Sequence, residues 1–93
     1  MTGSHALTVR AGITYRQLDH WTRTGLVTAA NGETHQGLPR TYDEAEARVV
    51  CWMARLVDTG IAPRTAARVA RDLDASGGTA GLGDFTLTYR GAS

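Results

Sequence analysis

Lysine is absent from this chain of 93 residues, cysteine occurs once, and acidic and basic residues nearly cancel. Nor does any apolar run approach the roughly 18 residues that a membrane helix needs. Each shortage closes off a class. A single Cys51 permits no intramolecular disulfide, which agrees with a reducing compartment. The N-terminus lacks the apolar segment of a signal peptide, so the expected location is cytoplasmic, with no membrane partner. All ten basic residues are Arg and alanine is abundant; a GC-rich genome, whose codons favour both, accounts for this without a functional reason. A net charge of only +1 means that bulk charge does not announce a nucleic-acid partner.

What is present fits one small globular domain. Hydrophobic residues make up 42% and charged residues 20%, a balance unlike that of a disordered chain. A chain of this length buries about 60–65% of its unfolded surface. The charge is unevenly placed. Met1 to Tyr42 carries four Arg against Asp19 and Glu33, a balance of +2, whereas Asp43 to Ala75 carries five Arg against six acids. His5, His20 and His35 add to the positive half below neutral pH.

Signals for catalysis and for metal are lacking. There is no Ser-His-Asp order or paired carboxylate suited to a pocket, and Gly77-Gly78 lacks the Lys of a phosphate loop. The expectation is a protein that is not an enzyme and has no cofactor. Metal sites of the thiolate kind need two or more clustered Cys, and Cys51 stands alone in an apolar stripe, which points to core. The three His are too widely spaced for a local ligand pair.

Four helices are expected. Ser4 to Ala11 forms the first, stopped by Gly12 and packed through Leu7, because two turns do not hold themselves in water. Thr14 to Thr24 forms the second, with Thr14 able to cap its start and Gly25 in the position that takes a left-handed backbone. Between Leu26 and Tyr42, Asn31-Gly32 is a hairpin signal, flanked by β-compatible Val27-Thr28 and Leu38 to Tyr42. A third helix begins at Asp43, which with Glu46 three residues on resembles a capping box. Its stripe is Ala47, Val50, Cys51, Ala54 and Val57, with Met53 and Leu56 on a flank, and Gly60 ends it. Pro63 opens a fourth helix, where the first turn accepts proline. Ala66, Val69, Ala70 and Leu73 give its stripe, and Ser76-Gly77-Gly78 closes it. In the tail, Phe85, Leu87 and Tyr89 alternate with Thr86, Thr88 and Arg90, the period of a strand. That strand needs a partner, either the wing hairpin or a neighbouring subunit.

Gly12 to Val27 reads as the turn and second helix of a helix-turn-helix with its exit into a wing. Ile13, Leu18 and Trp21 form the packed edge. Tyr15, Arg16, Gln17, Asp19, His20 and Arg23 put long polar groups on the remaining face, which suits a major groove. With these pieces placed, Ser4 to Leu73 resembles the DNA-binding domain of the MerR family. Gly12-Ile13-Thr14, Arg16-Gln17-Leu18, His20-Trp21 and Gly25-Leu26-Val27 occupy the family's turn and helix positions. Arg40-Thr41-Tyr42-Asp43-Glu44 matches its wing end and acidic helix start, and Leu56 through Ile61 matches its hinge.

The resemblance implies a mainly α fold with a small β wing, a MerR-like winged helix-turn-helix of four helices over residues 1–75. A Gly-containing linker and an extra C-terminal β-strand follow over 76–93. It is closest to small effector-less members, BldC-like regulators and excisionases, so neither ligand sensing nor coiled-coil dimerisation is carried over. The function implied is sequence-specific binding of double-stranded DNA as a transcriptional regulator. The site residues are Thr14, Tyr15, Arg16, Gln17, Asp19, His20, Arg23 and Arg40, with Arg40 reaching a phosphate from the wing base. Trp21 and Tyr42 are read as core. Asp19 departs from the family's frequent basic residue, and two roles stay open for it: accepting from a cytosine amino group, or pairing with Arg16 or Arg23 on its own helix. Copies lacking a coiled coil are expected to line up head to tail on direct repeats. Two alternatives stay open as well, an excisionase-type recombination factor and a module that holds a protein partner.

Overall fold

The computed structural model describes residues 1–31 and 40–90. Its elements run β1 (Thr2–Gly3), α1 (Ser4–Ala11), α2 (Tyr15–Arg23), β2 (Thr41–Tyr42), α3 (Glu44–Asp58), α4 (Pro63–Ser76), β3 (Thr79–Leu82) and β4 (Phe85–Thr88). The order is that of a winged helix-turn-helix followed by a helical pair and a hairpin. The Gly32, Gly37, Leu38 and Pro39 part of the expected wing lies outside the described residues, as do Glu33 and His35.

The helix boundaries follow local stereochemistry. Gly12 ends α1 at φ +71°, and its N–H reaches back to the carbonyls of Thr8 and Val9. An L side chain at that φ would be strained, so glycine sets the corner between α1 and α2. Thr14 then caps α2 reciprocally. Its hydroxyl accepts the Gln17 N–H at 3.1 Å, and the Gln17 side-chain oxygen accepts the Thr14 N–H at 3.1 Å. Leu7 is the buried residue of α1, while Leu18 and Trp21 anchor α2. Burial of that kind is worth about 1.5–3 kcal/mol per large side chain.

α3 and α4 form the main body of the core. Asp43 caps α3 by accepting the Glu46 N–H at 2.8 Å. The expected capping box is only half made, because the Glu46 carboxylate turns the other way. It accepts the Thr28 N–H at 2.7 Å and both terminal nitrogens of Arg71 at 2.9 and 3.0 Å. The buried face of α3 is also rotated from the expected stripe. Ala47, Val49, Val50, Met53 and Leu56 are its buried residues, leaving Cys51, Ala54 and Val57 at the edge. On α4, Ala66, Ala67, Val69, Ala70 and Leu73 are buried. Three alanines in that set keep the face thin, which lets two helix backbones approach closely with little side-chain entropy lost.

Two small antiparallel pairs complete the fold. β2 pairs with β1, Thr2 opposite Tyr42 and Gly3 opposite Thr41, rather than with the Val27-Thr28 flank. The wing loop is instead closed at its base by the Ala30 N–H on the Thr41 carbonyl at 2.7 Å and the Thr41 N–H on Asn31 Oδ1 at 3.2 Å. The tail strand finds its partner in neither expected place. It pairs with β3, in the register Thr79–Thr88 to Leu82–Phe85, around a two-residue turn at Gly83-Asp84. Ala80 is buried, and Leu82 and Leu87 pack against the same core.

Glu46 therefore joins three segments while its side chain is only 12% exposed. Glu46→Ala is expected to lower unfolding stability by about 2–3 kcal/mol, since it strips partners from a charged group and a backbone N–H. Urea denaturation of the chain checks this, and Asp43→Ala, which removes only the cap, is expected to cost about 1 kcal/mol.

Candidate nucleic-acid interface

Capping by Thr14 and packing by Leu18 and Trp21 hold α2 with one face outward. Tyr15, Arg16, Gln17, His20 and Arg23 are exposed, and Tyr15 is 57% exposed despite its ring. Positions 16, 20 and 23 share that face by helical spacing. Thr14 and the Gln17 carbonyl oxygen are spent on the cap, so of Gln17 only the amide N–H groups remain for a ligand. The side chains of Tyr15, Arg16 and His20 have no hydrogen-bond partner among the described residues. Arg16 thus presents an unspent guanidinium with five donors.

Asp19 lies on the same face and is the site's organising acid. Its Oδ2 takes Arg23 Nε at 2.9 Å and its Oδ1 takes Arg40 Nη1 at 2.7 Å. The intrahelical partner is Arg23 rather than Arg16. Arg40, in turn, is drawn in from the wing base onto α2, with its side chain 21% exposed. Its carbonyl also accepts from the Ser4 hydroxyl at 3.3 Å. Desolvation alone would raise the Asp19 carboxyl; hydrogen bonds from Arg40 and Arg23, with their charges, outweigh it and hold Asp19 below the usual carboxylate range. Desolvation likewise pulls the Arg40 guanidinium down, and the Asp19 contact more than reverses this.

Beneath this surface, Trp21 and Tyr42 are core residues at 2% and 0% exposure. The Tyr42 hydroxyl shares a 2.9 Å hydrogen bond with the Thr22 hydroxyl, which ties β2 to the back of α2. Elsewhere most guanidinium groups are taken up by acids. Arg10 pairs with Glu44, Arg48 with Asp74 and Glu44, Arg68 with Asp72, and Arg71 with Glu46. Arg64, on the first turn of α4, is exposed and has no acidic partner among the described residues, which the sequence reading did not single out. Its only sequence signal is a place directly after Pro63, with no acid at helical pairing distance.

Cys51 is half-buried, and burial pushes its thiol up despite the nearby Arg10 and Arg55. Among the described residues no group of three His, Cys, Asp or Glu side chains could hold a metal ion. No helix among them is long and apolar enough to cross a membrane.

A capped, outward-facing second helix, a loop closed at its base beside it and a helical pair behind define a winged helix-turn-helix protein. Residues 4–73 match the family described as MerR HTH family regulatory proteins, and the chain belongs to that family. It is 39% identical over 84 residues to uncharacterized HTH-type transcriptional regulators of Mycobacterium bovis and Mycobacterium tuberculosis. That match takes in 89% of this chain and 37% of each relative, so the chain spans little more than a third of their length. A match covering so much of the chain cannot stop at residue 73 and includes β3. No solved structure matches the chain.

The depressed Asp19 carboxyl makes the α2–wing anchor pH-dependent. Its contribution is fully present above the unfolded value near 3.8 and is lost as pH falls through the lower folded value. NMR of the Arg23 and Arg40 side-chain N–H groups is expected to show both released together only as pH falls below the unfolded value of 3.8, and released at every pH in Asp19→Ala.

Proposed function

We propose that this chain binds duplex DNA as a regulatory protein, with α2 entering the major groove and the wing base against the adjoining backbone. The observation that carries the reading is Arg16. It is an exposed arginine with no partner among the described residues, on a helix whose cap and buried edge fix its direction. A guanidinium so placed can bond guanine O6 and N7 together, or clamp a phosphate. His20 and the Gln17 amide extend the same face, and Tyr15 adds a hydroxyl suited to a phosphate oxygen.

Asp19 takes a positioning part in this reading. A carboxylate already engaged by two guanidinium groups is not left to repel phosphates, and the Asp19–Arg23–Arg40 cluster retains a net charge of +1. The remaining N–H groups of Arg23 and Arg40 point to backbone contact rather than base reading. One domain of this kind covers about 600–1,000 Å² of DNA-facing surface, so specific binding at physiological salt calls for more than one copy.

Selection of random duplexes on the purified protein, followed by sequencing of those retained, tests the reading. Enrichment of one motif is expected, with affinity falling steeply as salt rises because phosphate contacts release counterions. Arg16→Ala is expected to weaken binding by about 1–3 kcal/mol and to relax preference at one base pair. Asp19→Ala is expected to flatten preference less, while altering the wing's backbone contacts. No retention of any duplex at about 100 mM salt would overturn DNA binding.

A further inference from the structure

The C-terminal hairpin has one covered strand and one open one. β3 lies against α4, where Arg68 donates to the Gly81 carbonyl at 3.3 Å. β4 meets the helices through Leu87, which packs against the core, and through Tyr89 just past its end. The Tyr89 ring packs edge-on against Trp52 at 4.6 Å, and its hydroxyl accepts from Arg55 at 2.6 Å. The Tyr89 N–H bonds the Gly78 carbonyl at 2.7 Å, extending the β3–β4 register by one pair. In an antiparallel ladder such pairs alternate, so Phe85, Leu87 and Tyr89 spend their backbone groups on β3. Thr86 and Thr88 point theirs outward. Both are exposed and have no backbone partner on that side among the described residues.

An open edge is normally blunted by lysine, proline or a bulge. β4 has none of these. What it has is chemical self-complementarity. Asp84-Phe85-Thr86-Leu87-Thr88-Tyr89-Arg90 reads acid, aromatic, threonine, leucine, threonine, aromatic, base. Running two copies antiparallel about Leu87 places Asp84 opposite Arg90, Phe85 opposite Tyr89, Thr86 opposite Thr88, and Leu87 opposite itself. The same centre makes Thr86 and Thr88 the hydrogen-bonded pairs, which are the residues whose backbone groups face outward. Centring between two residues would instead set an outward-facing backbone against an inward-facing one. Neither Asp84 nor Arg90 has an ion-pair partner among the described residues, and Phe85 is 76% exposed.

We propose that β4 is a homodimerisation strand, pairing antiparallel with β4 of a second copy across a two-fold axis at Leu87. The pairing converts two hairpins into one four-stranded sheet and satisfies the outward N–H and carbonyl groups of Thr86 and Thr88. It buries Phe85 of each copy beside Tyr89 of the other and closes both ends with an ion pair. Such an interface is isologous, since each residue meets its counterpart in both directions. A two-fold dimer puts two α2 helices in inverted relation, in place of the head-to-tail line expected from the sequence.

Sedimentation and amide exchange by NMR on the whole chain without DNA test the pairing independently of the DNA reading. The expected result is a monomer–dimer equilibrium. In it the Thr86 and Thr88 amides gain protection as concentration rises, while Leu87 is protected throughout. Asp84→Arg and Arg90→Asp are each expected to weaken association by about tenfold, because two attractions become two repulsions, and the double reversal is expected to restore it. Asp84 follows Gly83 in the turn at a position open to most residues, so these variants are expected to fold. Thr86→Pro, which removes only an outward N–H, is expected to abolish the dimer with α-helical content unchanged. A monomer at about 1 mM, a dimer without Thr86 and Thr88 protection, or a double reversal no tighter than the single variants would each overturn the proposal.

Discussion

The Glu46 carboxylate is where the exit from α2, the first turn of α3 and α4 are made to agree on one geometry. It sits in the first turn of α3, yet it bonds the Thr28 N–H on the segment leaving α2 and grips Arg71 of α4 with both oxygens. Arg71 adds a second bond to the Leu26 carbonyl at 2.9 Å. Three segments distant in sequence thus meet at a charge-assisted cluster in which the acid is nearly buried and fully engaged. A carboxylate so placed is tolerable only because its oxygens are satisfied, and removing any donor would leave a desolvated charge. With the exit from α2 fixed there, Val27 and Ala29 turn into the core and Ala30 meets Thr41. The position of Arg40 over Asp19 follows from that closure.

Charge distribution in this small domain is governed by pairing rather than by total. Ten arginines against nine acids give a net value that says little about partners. Once paired in space, the acids engage Arg48, Arg68 and Arg71 of the helical pair and Arg10 of the α1–α3 contact. Arg16 on α2, like Arg64 on α4, is exposed and without an acidic partner among the described residues. A face with an exposed guanidinium is thereby present in a nearly neutral chain, because most acids are concentrated elsewhere. Asp19, the one acid on the α2 face, is no exception in effect, since it gathers two arginines around itself.

Elements whose limits are set by local stereochemistry were legible from sequence: Gly12 and Gly77 at left-handed corners, Thr14 and Asp43 as caps, Pro63 in a first turn. The exposed face of α2 was legible for the same reason, because Leu18 and Trp21 fix which side is buried. Features decided by distant partners were not. Thr2-Gly3 has no strand signal of its own and becomes one only when Thr41-Tyr42 arrives. Glu46 matches a capping-box position, but Arg71 offers a stronger, charge-assisted partner than the N-cap N–H. The observed α3 stripe lies about one position from the expected one because Ala47 and Val50 fit two neighbouring helical faces, and packing against α4 chooses between them. Thr79-Ala80-Gly81-Leu82 escapes period-2 reading through its glycine, so the sequence carries no signal for β3 as the partner of β4.

The hairpin itself can be understood from the limits of a core this small. α4 offers α3 a face of alanines, which brings the backbones together but covers little of the larger side chains toward the chain's later end. Leu56 and Leu73 sit there, at 8% and 1% exposure, and a shallow groove lined by these two with Leu87, Tyr89 and Trp52 lies over them. Without β3 and β4 that region would be open apolar surface. A two-stranded hairpin is marginal alone and is stabilised here by the helices it covers. Covering a core with two strands necessarily creates two outer edges, and only the β3 edge can turn toward α4. The open β4 edge is therefore not an accident of the tail but the geometric consequence of closing this core with a hairpin, and the sequence placed on that edge is matched to itself.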